Sequence, residues 1–359
     1  MNDLQIRLKN DIVALCSLMS VSGFERRASA ELHATVGKDF DSMQTDAVGN
    51  HVLLKKCGRE GAPLVLVDTH FDEIGMLVTE ICEGGFLRFC NMGGLSLSVL
   101  QAADVIVYGK EEIRGVIIST PPHLRDGSSD KLSDISELMI DTGYSKEALE
   151  KIAPVGTPVG FAPVYSHLLS GRMAGKSFDD KACAAVCAAA IADTPREELA
   201  ADVCLMLSCF EETSRLGGIA PAVNRLQPDY AMVVDVNLAR VPDTPKSETV
   251  PMGKGISISV SAATDRALSL EVARLCREGD IPHTMVAAPS STGTNAPTVN
   301  LSGAGIPVVD IGLPLANMHT YNEVIDLLDC ESLYRLTRAF ITDRGLAEKF
   351  MRRGEELPL

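Results

Sequence analysis

Tryptophan is absent from this 359-residue chain, and six Tyr and ten Phe bring the aromatic share to only 4%. No obvious stacking pocket therefore advertises a substrate class. Positive charge is also scarce, with 33 Lys and Arg against 48 Asp and Glu for a formal net charge of −15. Nucleic-acid binding leaves a basic footprint, so nucleic acid is excluded as a partner, and an anionic membrane surface with it. The longest unbroken apolar run, Ala182 to Ala192, is well short of the roughly 20 residues of a membrane helix. Met1-Asn2-Asp3-Leu4-Gln5 lacks the basic start and apolar stretch of a secretory signal. Ten cysteines contain no Cys-x-x-Cys pair, which argues against a zinc knuckle or redox motif. Free buried thiols in a reducing compartment follow, and the chain is expected to be soluble and cytoplasmic.

What is present is a large apolar fraction, 46%, enough for a sizeable core. Residues 4–19 and 25–35 read as helices separated by Ser22-Gly23, and Pro63 to Asp68 as a strand covered on both faces. Between about 75 and 165 the texture changes to short alternating segments such as 76–79, 86–89, 105–108 and 116–118. Evenly spaced short strands predict a small inserted barrel or sandwich, interrupted by one helix near Lys131 to Met139. After Gly171, strands and helices alternate: helix 180–192, strands 202–210 and 229–236, helix 266–277, strand 282–288, helix 296–301, strand 306–312, helix 323–341. That order predicts an α/β domain with a largely parallel central sheet flanked by helices. The division is residues 1–74 and 166–359 for the α/β domain and 75–165 for the inserted β-barrel.

The acids and histidines fall where strands end. His70 and Asp72 follow strand 63–68, Glu211 and Glu212 follow strand 202–210, Asp235 closes 231–234, and His319 lies shortly past 308–312. In open α/β sheets the carboxyl ends of strands bind ligands. Asp179 and Asp180 enter the next helix together, so Asp180 could cap it while Asp179 faces the rim. Two His with three or four carboxylates and no thiolate is the inventory of a two-metal site suited to zinc, cobalt or manganese. One Glu of the pair is left over as a base.

His70-Phe71-Asp72-Glu73-Ile74-Gly75, Lys176 to Lys181, Glu211-Glu212, Val234-Asp235-Val236, Ser291 to Ala296 and His319 resemble, in order and spacing, the motifs of the tetrahedral aminopeptidases. These are the cytosolic glutamyl, leucyl, lysyl and deblocking aminopeptidases, some of which carry the name endoglucanase. Val21 to Glu25 and Gly115 to Leu124 resemble further signatures of that family. The resemblance implies a zinc-peptidase-like fold and two divalent metal ions per chain. It assigns His70 and Asp235 to one ion, Glu212 and His319 to the other, and Asp179 to both. Glu211 would be the general base activating a metal-bridging water, and Asp72 would orient His70 from behind. Peptides would be the substrates, and self-association would give homodimers and a tetrahedral dodecamer. The chain departs from the family pattern at Lys181, at Thr213 to Gly217, at Asn295 and at Ala316 to Met318.

Alternatives are a two-metal deacylase of N-acyl amino acids, suggested by Asn295, a non-catalytic assembly, and a glycosidase built on Glu211 and Glu212. Adjacent residues at an extended strand end point to opposite faces, which argues against the last. Among the other histidines, His33 falls on an early helix, His51 in a polar turn, His167 in a connection and His283 at a strand start. His123 belongs to the inserted segment and could reach a neighbouring subunit.

Overall fold

A computed structural model describes residues 1–121, 134–213, 218–288 and 292–351. After the helix Asp3–Cys16 the chain forms β1 (Ser42–Thr45), β2 (His51–Lys55) and β3 (Leu64–His70). It then runs through β4 (Gly75–Ile81), β5 (Phe86–Met92), β6 (Asp104–Tyr108), β7 (Glu112–Ser119), β8 (Leu138–Asp141) and β9 (Pro158–Phe161). It returns through β10 (Ser166–His167), β11 (Arg172–Gly175), β12 (Asp202–Ser208), β13 (Tyr230–Leu238), β14 (Ile256–Val260), β15 (His283–Ala287), β16 (Val308–Leu315) and β17 (Glu323–Asp326).

The main sheet has eight strands in the order β1-β2-β12-β3-β13-β16-β14-β15. Its four central strands, β12, β3, β13 and β16, are mutually parallel, so their carboxyl ends share one rim. Alternation explains why they are buried on both sides. Val65 and Val67 of β3 face the core that holds the helices Asp3–Cys16, Phe178–Asp193 and Leu327–Thr342. Leu66 faces the opposite core with the helices Ile219–Leu226 and Ala296–Asn300. Val203, Leu205 and Leu207 of β12 split from Cys204 and Met206 in the same way. The alanines of Phe178–Asp193 favour helix and are small enough for close packing; thirteen of its residues, its two cysteines among them, are buried.

β4 to β9 close into an antiparallel barrel in the order β4-β5-β8-β7-β6-β9 with its own core of Met76, Val78, Leu87, Val105, Ile117, Ile140 and Val159. The architecture is thus a mixed α/β sheet domain carrying a small barrel. A third sheet, β10-β11-β17, joins the two ends of the returning chain.

Several expectations are corrected. The helix anticipated near Lys131 to Met139 is, over its described part, a 3-10 turn at Ile135–Glu137 leading into β8. Helix 323–341 starts as β17, which pairs with β11, and becomes helical only at Leu327, where Asp326 caps by accepting from the Leu328 N–H. His51 lies in no polar turn; it opens β2 and is fully buried. Residues 25–35 divide into a 3-10 turn, Glu25–Ala28, and the helix Ser29–Thr35. His123 lies outside the described residues. Among the described residues, no helix is long and apolar enough to cross a membrane, and all ten cysteines are free.

Candidate metal centre

His70 ends β3. Its Nδ1 lies 3.0 Å from the carbonyl oxygen of Asp72; a carbonyl only accepts, so Nδ1 carries the proton and Nε2 points into the site. Nε2 lies 3.0 Å from Asp179 Oδ1, 3.7 Å from Asp235 Oδ1 and 4.0 Å from Glu211 Oε2. On the other side of Asp179, His319 Nε2 lies 3.5 Å from Oδ2 and 3.4 Å from Glu212 Oε2. Two constellations with ligand atoms close enough to share a cation result, His70-Glu211-Asp235 and His70-Asp179-Glu212. The fold thereby brings together His70, Asp179, Glu211, Glu212, Asp235 and His319 from five separate segments.

Asp72 sits directly behind them, fully buried. Its carboxylate is 3.6 Å from His70 Nδ1, and its two oxygens accept from the backbone N–H groups of Glu211 (3.0 Å) and Glu212 (3.1 Å). It therefore anchors the Glu pair, while its carbonyl orients His70. The pair lies in a turn after β12 rather than on an extended strand end, so both carboxylates reach the cluster; the expectation of opposite faces does not hold.

Asp179 breaks helical geometry with φ −77° and ψ 109°, and its peptide bond to Asp180 is cis. Asp180 does not cap the helix; its Oδ2 accepts from the His70 N–H at 3.2 Å. Two supports here are not among the site residues singled out in the sequence. Buried Glu323 accepts from the Asp179 N–H (3.1 Å) and the His319 N–H (3.2 Å), tying together the segments that carry Asp179 and His319. Buried Glu73 pairs with Lys176 and Lys181 and accepts from Ser177, fixing the approach to Asp179. Burial opposes its charge, yet the two ammonium groups hold the Glu73 carboxyl down at about 2. One carboxylate between two ammoniums leaves positive charge in excess, and burial pushes Lys181 down to about 8.

The barrel also touches the site. A Cβ on Gly94 would stand 2.7 Å from His319 Nδ1, so the loop after β5 approaches the imidazole as closely as a glycine permits.

Negative charge dominates the centre. Burial first, then neighbouring carboxylates, push Asp235 and Glu212 far above the usual carboxyl range, and Glu211 up to about 7. Burial works against a charged His70, but Asp179, Asp72 and Asp235 outweigh it and push its pKa up. Protons are thus held where cations would be bound. Nitrogen and carboxylate donors in this number fit divalent ions of the zinc, cobalt or manganese kind.

A cavity of about 840 Å³ opens over the cluster, lined further by Asn237, Leu238, Thr292, Thr294, Asn295 and Met318. Asn295 directs Nδ2 to Asp68 Oδ2 (3.1 Å) and Ser208 Oγ (3.0 Å).

Known proteins resemble this chain over nearly its full length. A lysyl aminopeptidase of Pyrococcus furiosus is 29% identical over 332 residues, covering 90% of this chain and 93% of its own. The structure of an aminopeptidase from the archaeon Desulfurococcus kamchatkensis superposes with a TM-score of 0.88 at 27% identity, covering 99% of this chain and 100% of that one. A TET peptidase of Pyrococcus horikoshii, described as able to assemble into a tetrahedron or a large octahedral shell, gives 0.82 at 27% identity over 94% and 99% of the two chains. With residues 49–336 matching the M42 glutamyl aminopeptidase family, this chain belongs to that family and is a peptidase hydrolase.

Proposed function

We propose that this protein is an aminopeptidase that removes N-terminal residues from peptides at a centre of two divalent metal ions, zinc foremost, with cobalt or manganese able to replace it. The observation that carries this reading is Asp179, whose two carboxylate oxygens each face a different histidine, 3.0 Å from His70 and 3.5 Å from His319. His70 and Asp235 would hold one ion, Glu212 and His319 the other, and Asp179 both. Such a pair of ions supplies Lewis acidity, lowering the pKa of water and polarising the scissile carbonyl. Glu211, with a carboxyl pushed up to about 7 by burial and by Asp179 and Asp72, is poised to take the proton of the attacking water and return it to the leaving amine. Among its described residues the cavity lining has four carboxylates and no Lys or Arg. An N-acyl amino acid would bring a free carboxylate that no Lys or Arg of that lining can pair, which favours a peptide N-terminus. Asn295, the residue that suggested a deacylase, is engaged with Asp68 and Ser208.

Elemental analysis should find close to two divalent ions per chain. Glu211→Gln should abolish hydrolysis of aminoacyl anilides while leaving the metal bound; retained turnover would sink the assignment. We further propose self-association into homodimers and a tetrahedral dodecamer, on the likeness to TET assemblies, in the cytoplasm, on the free cysteines. The domain boundaries proposed are 1–74 with 166–359, and 75–165.

A further inference from the structure

The turn Ser20 to Glu25 contributes no group to the cluster, yet it is wired to both of its walls. Ser20 accepts from the Glu73 N–H at 2.9 Å, donates its own N–H to Glu73 Oε1 at 3.2 Å and donates its hydroxyl to the Phe71 carbonyl at 2.7 Å. The Ser22 hydroxyl meets that of Thr213 at 2.8 Å. Glu25 is only 2% exposed, and among the described residues no Lys, Arg or His pairs with it. Its Oε1 instead accepts from the N–H groups of Gly23 (3.0 Å) and Phe210 (3.4 Å).

Burying a carboxylate without a cation is costly, so its partners are informative. Phe210 has φ +61°, a region a bulky residue seldom adopts and one associated with functional turns. It folds the chain back directly after β12. The three successive N–H groups of Phe210, Glu211 and Glu212 all end on buried carboxylates, the first on Glu25 and the other two on Asp72. Asp72 is bonded to His70 through its carbonyl; among the described residues Glu25 makes no hydrogen bond or ion pair with a proposed ligand, and the bond it makes toward the centre is to Phe210.

We propose that Glu25 is a positioning residue for Glu211: its charged acceptor clamps the Phe210 N–H and so fixes the turn that aims the Glu211 carboxylate at the reacting atoms. The inference rests on the reading of Glu211 as the base. Hydrogen bonds to an ionised acceptor are markedly stronger than those to a neutral one, so a carboxamide of the same shape holds the turn less firmly. A misplacement of about 1 Å at a reacting group can cost on the order of 10²-fold in rate.

The test is steady-state kinetics on the metal-loaded enzyme with an aminoacyl anilide at about pH 8.5, where the Glu25 carboxyl, pushed up to about 7 by burial, is ionised. Glu25→Gln should lower kcat about tenfold, and Glu25→Ala about a hundredfold, with KM and metal content unchanged in both. Glu25→Gln preserves shape and decides the matter even if the alanine variant fails to fold. A kcat within twofold of wild type in Glu25→Gln overturns the proposal. So does a loss that comes with raised KM or fallen metal content, since Glu25 would then serve binding or the fold. Glu211→Gln run alongside separates the two readings. An active Glu211→Gln removes the base assignment and this inference with it, whereas an inert one beside a wild-type-like Glu25→Gln overturns the inference alone.

Discussion

Glu323 accepts from the backbone of Asp179 and of His319, so one carboxyl sets the separation of two segments of the proposed metal centre that are far apart in sequence. Glu323→Ala leaves both N–H groups without that acceptor. Supporting residues of this kind typically change metal affinity 10–100-fold, and the variant is expected to bind zinc weaker by about that factor in chelator competition; an unchanged affinity would refute the role. Asn295 shows the opposite lesson at the same scale. An Asp at this position would set a second carboxylate against Asp68, which is fully buried and already pushed up to about 7 by burial. Asn donates there instead, so the departure from the family pattern is explained by a neighbour beneath the pocket rather than by the substrate above it. Asp68 and Asn295 are far apart in the chain, and no local pattern announces their contact.

The loop that follows β5 carries the barrel's influence to the proposed metal centre, because Gly94 lies against the His319 ring. In Gly94→Ala the new methyl must displace the imidazole, which is about one-third exposed and can swing away, so the cost falls on ligand geometry more than on the fold. The variant should melt within a few degrees of wild type, bind less than two equivalents of zinc by elemental analysis, and lose most of its activity; full metal content would contradict this. How much the sequence tells also differs by element. Strands β3, β12 and β13 were legible because continuous apolar runs mark strands covered on both faces, and their ligands follow or close those runs. β2 and β14 were not. His51 opens one with a polar side chain that is nonetheless buried, and Ser257 and Ser259 interrupt the other while buried against β16. β17 reads in the sequence as part of the following helix because Glu323-Val324-Ile325-Asp326 runs on without a break, and its pairing with β11 and with Ala316 identifies it. The six groups of the cluster were legible from strand-end placement and motif order, whereas Glu25 and Glu73, although they stand inside the Val21 to Glu25 and His70 to Gly75 motifs, and Glu323, which stands in none, act through partners distant in sequence that no local pattern reveals.

At the scale of the whole molecule, the buried acids make stability depend on what neutralises them. Without cations, Asp235, Glu212 and Glu323 have folded pKa values far above 3.8 or 4.5, for burial first and like charge second, and Glu211 is pushed up to about 7. His70 is pushed above 6.5, its carboxylate neighbours outweighing burial. All five groups hold protons in the folded state that the unfolded chain releases, so stability falls as pH rises through the window from about 4.5 to 7 and beyond, at about 1.4 kcal/mol per pH unit for each proton retained. Glu73, depressed to about 2, changes its contribution only between about 2 and 4.5, and Lys181, depressed to about 8, only above that value; neither falls in the window. His51, lowered to about 4 by burial, opposes the trend, and Glu25 and Asp329, each raised to about 7 chiefly by burial, reinforce it. Those three lie outside the proposed ligand set and should behave alike with and without metal, so the comparison isolates the centre. Bound divalent ions would replace the protons on the ligands and stabilise the folded state by mass action. The melting temperature of chelator-treated protein should therefore fall between pH 5.5 and 8 relative to that of zinc-loaded protein, the gap widening steadily across the range in parallel thermal scans. A gap independent of pH would mean that the acids of the centre are not the groups that cations neutralise.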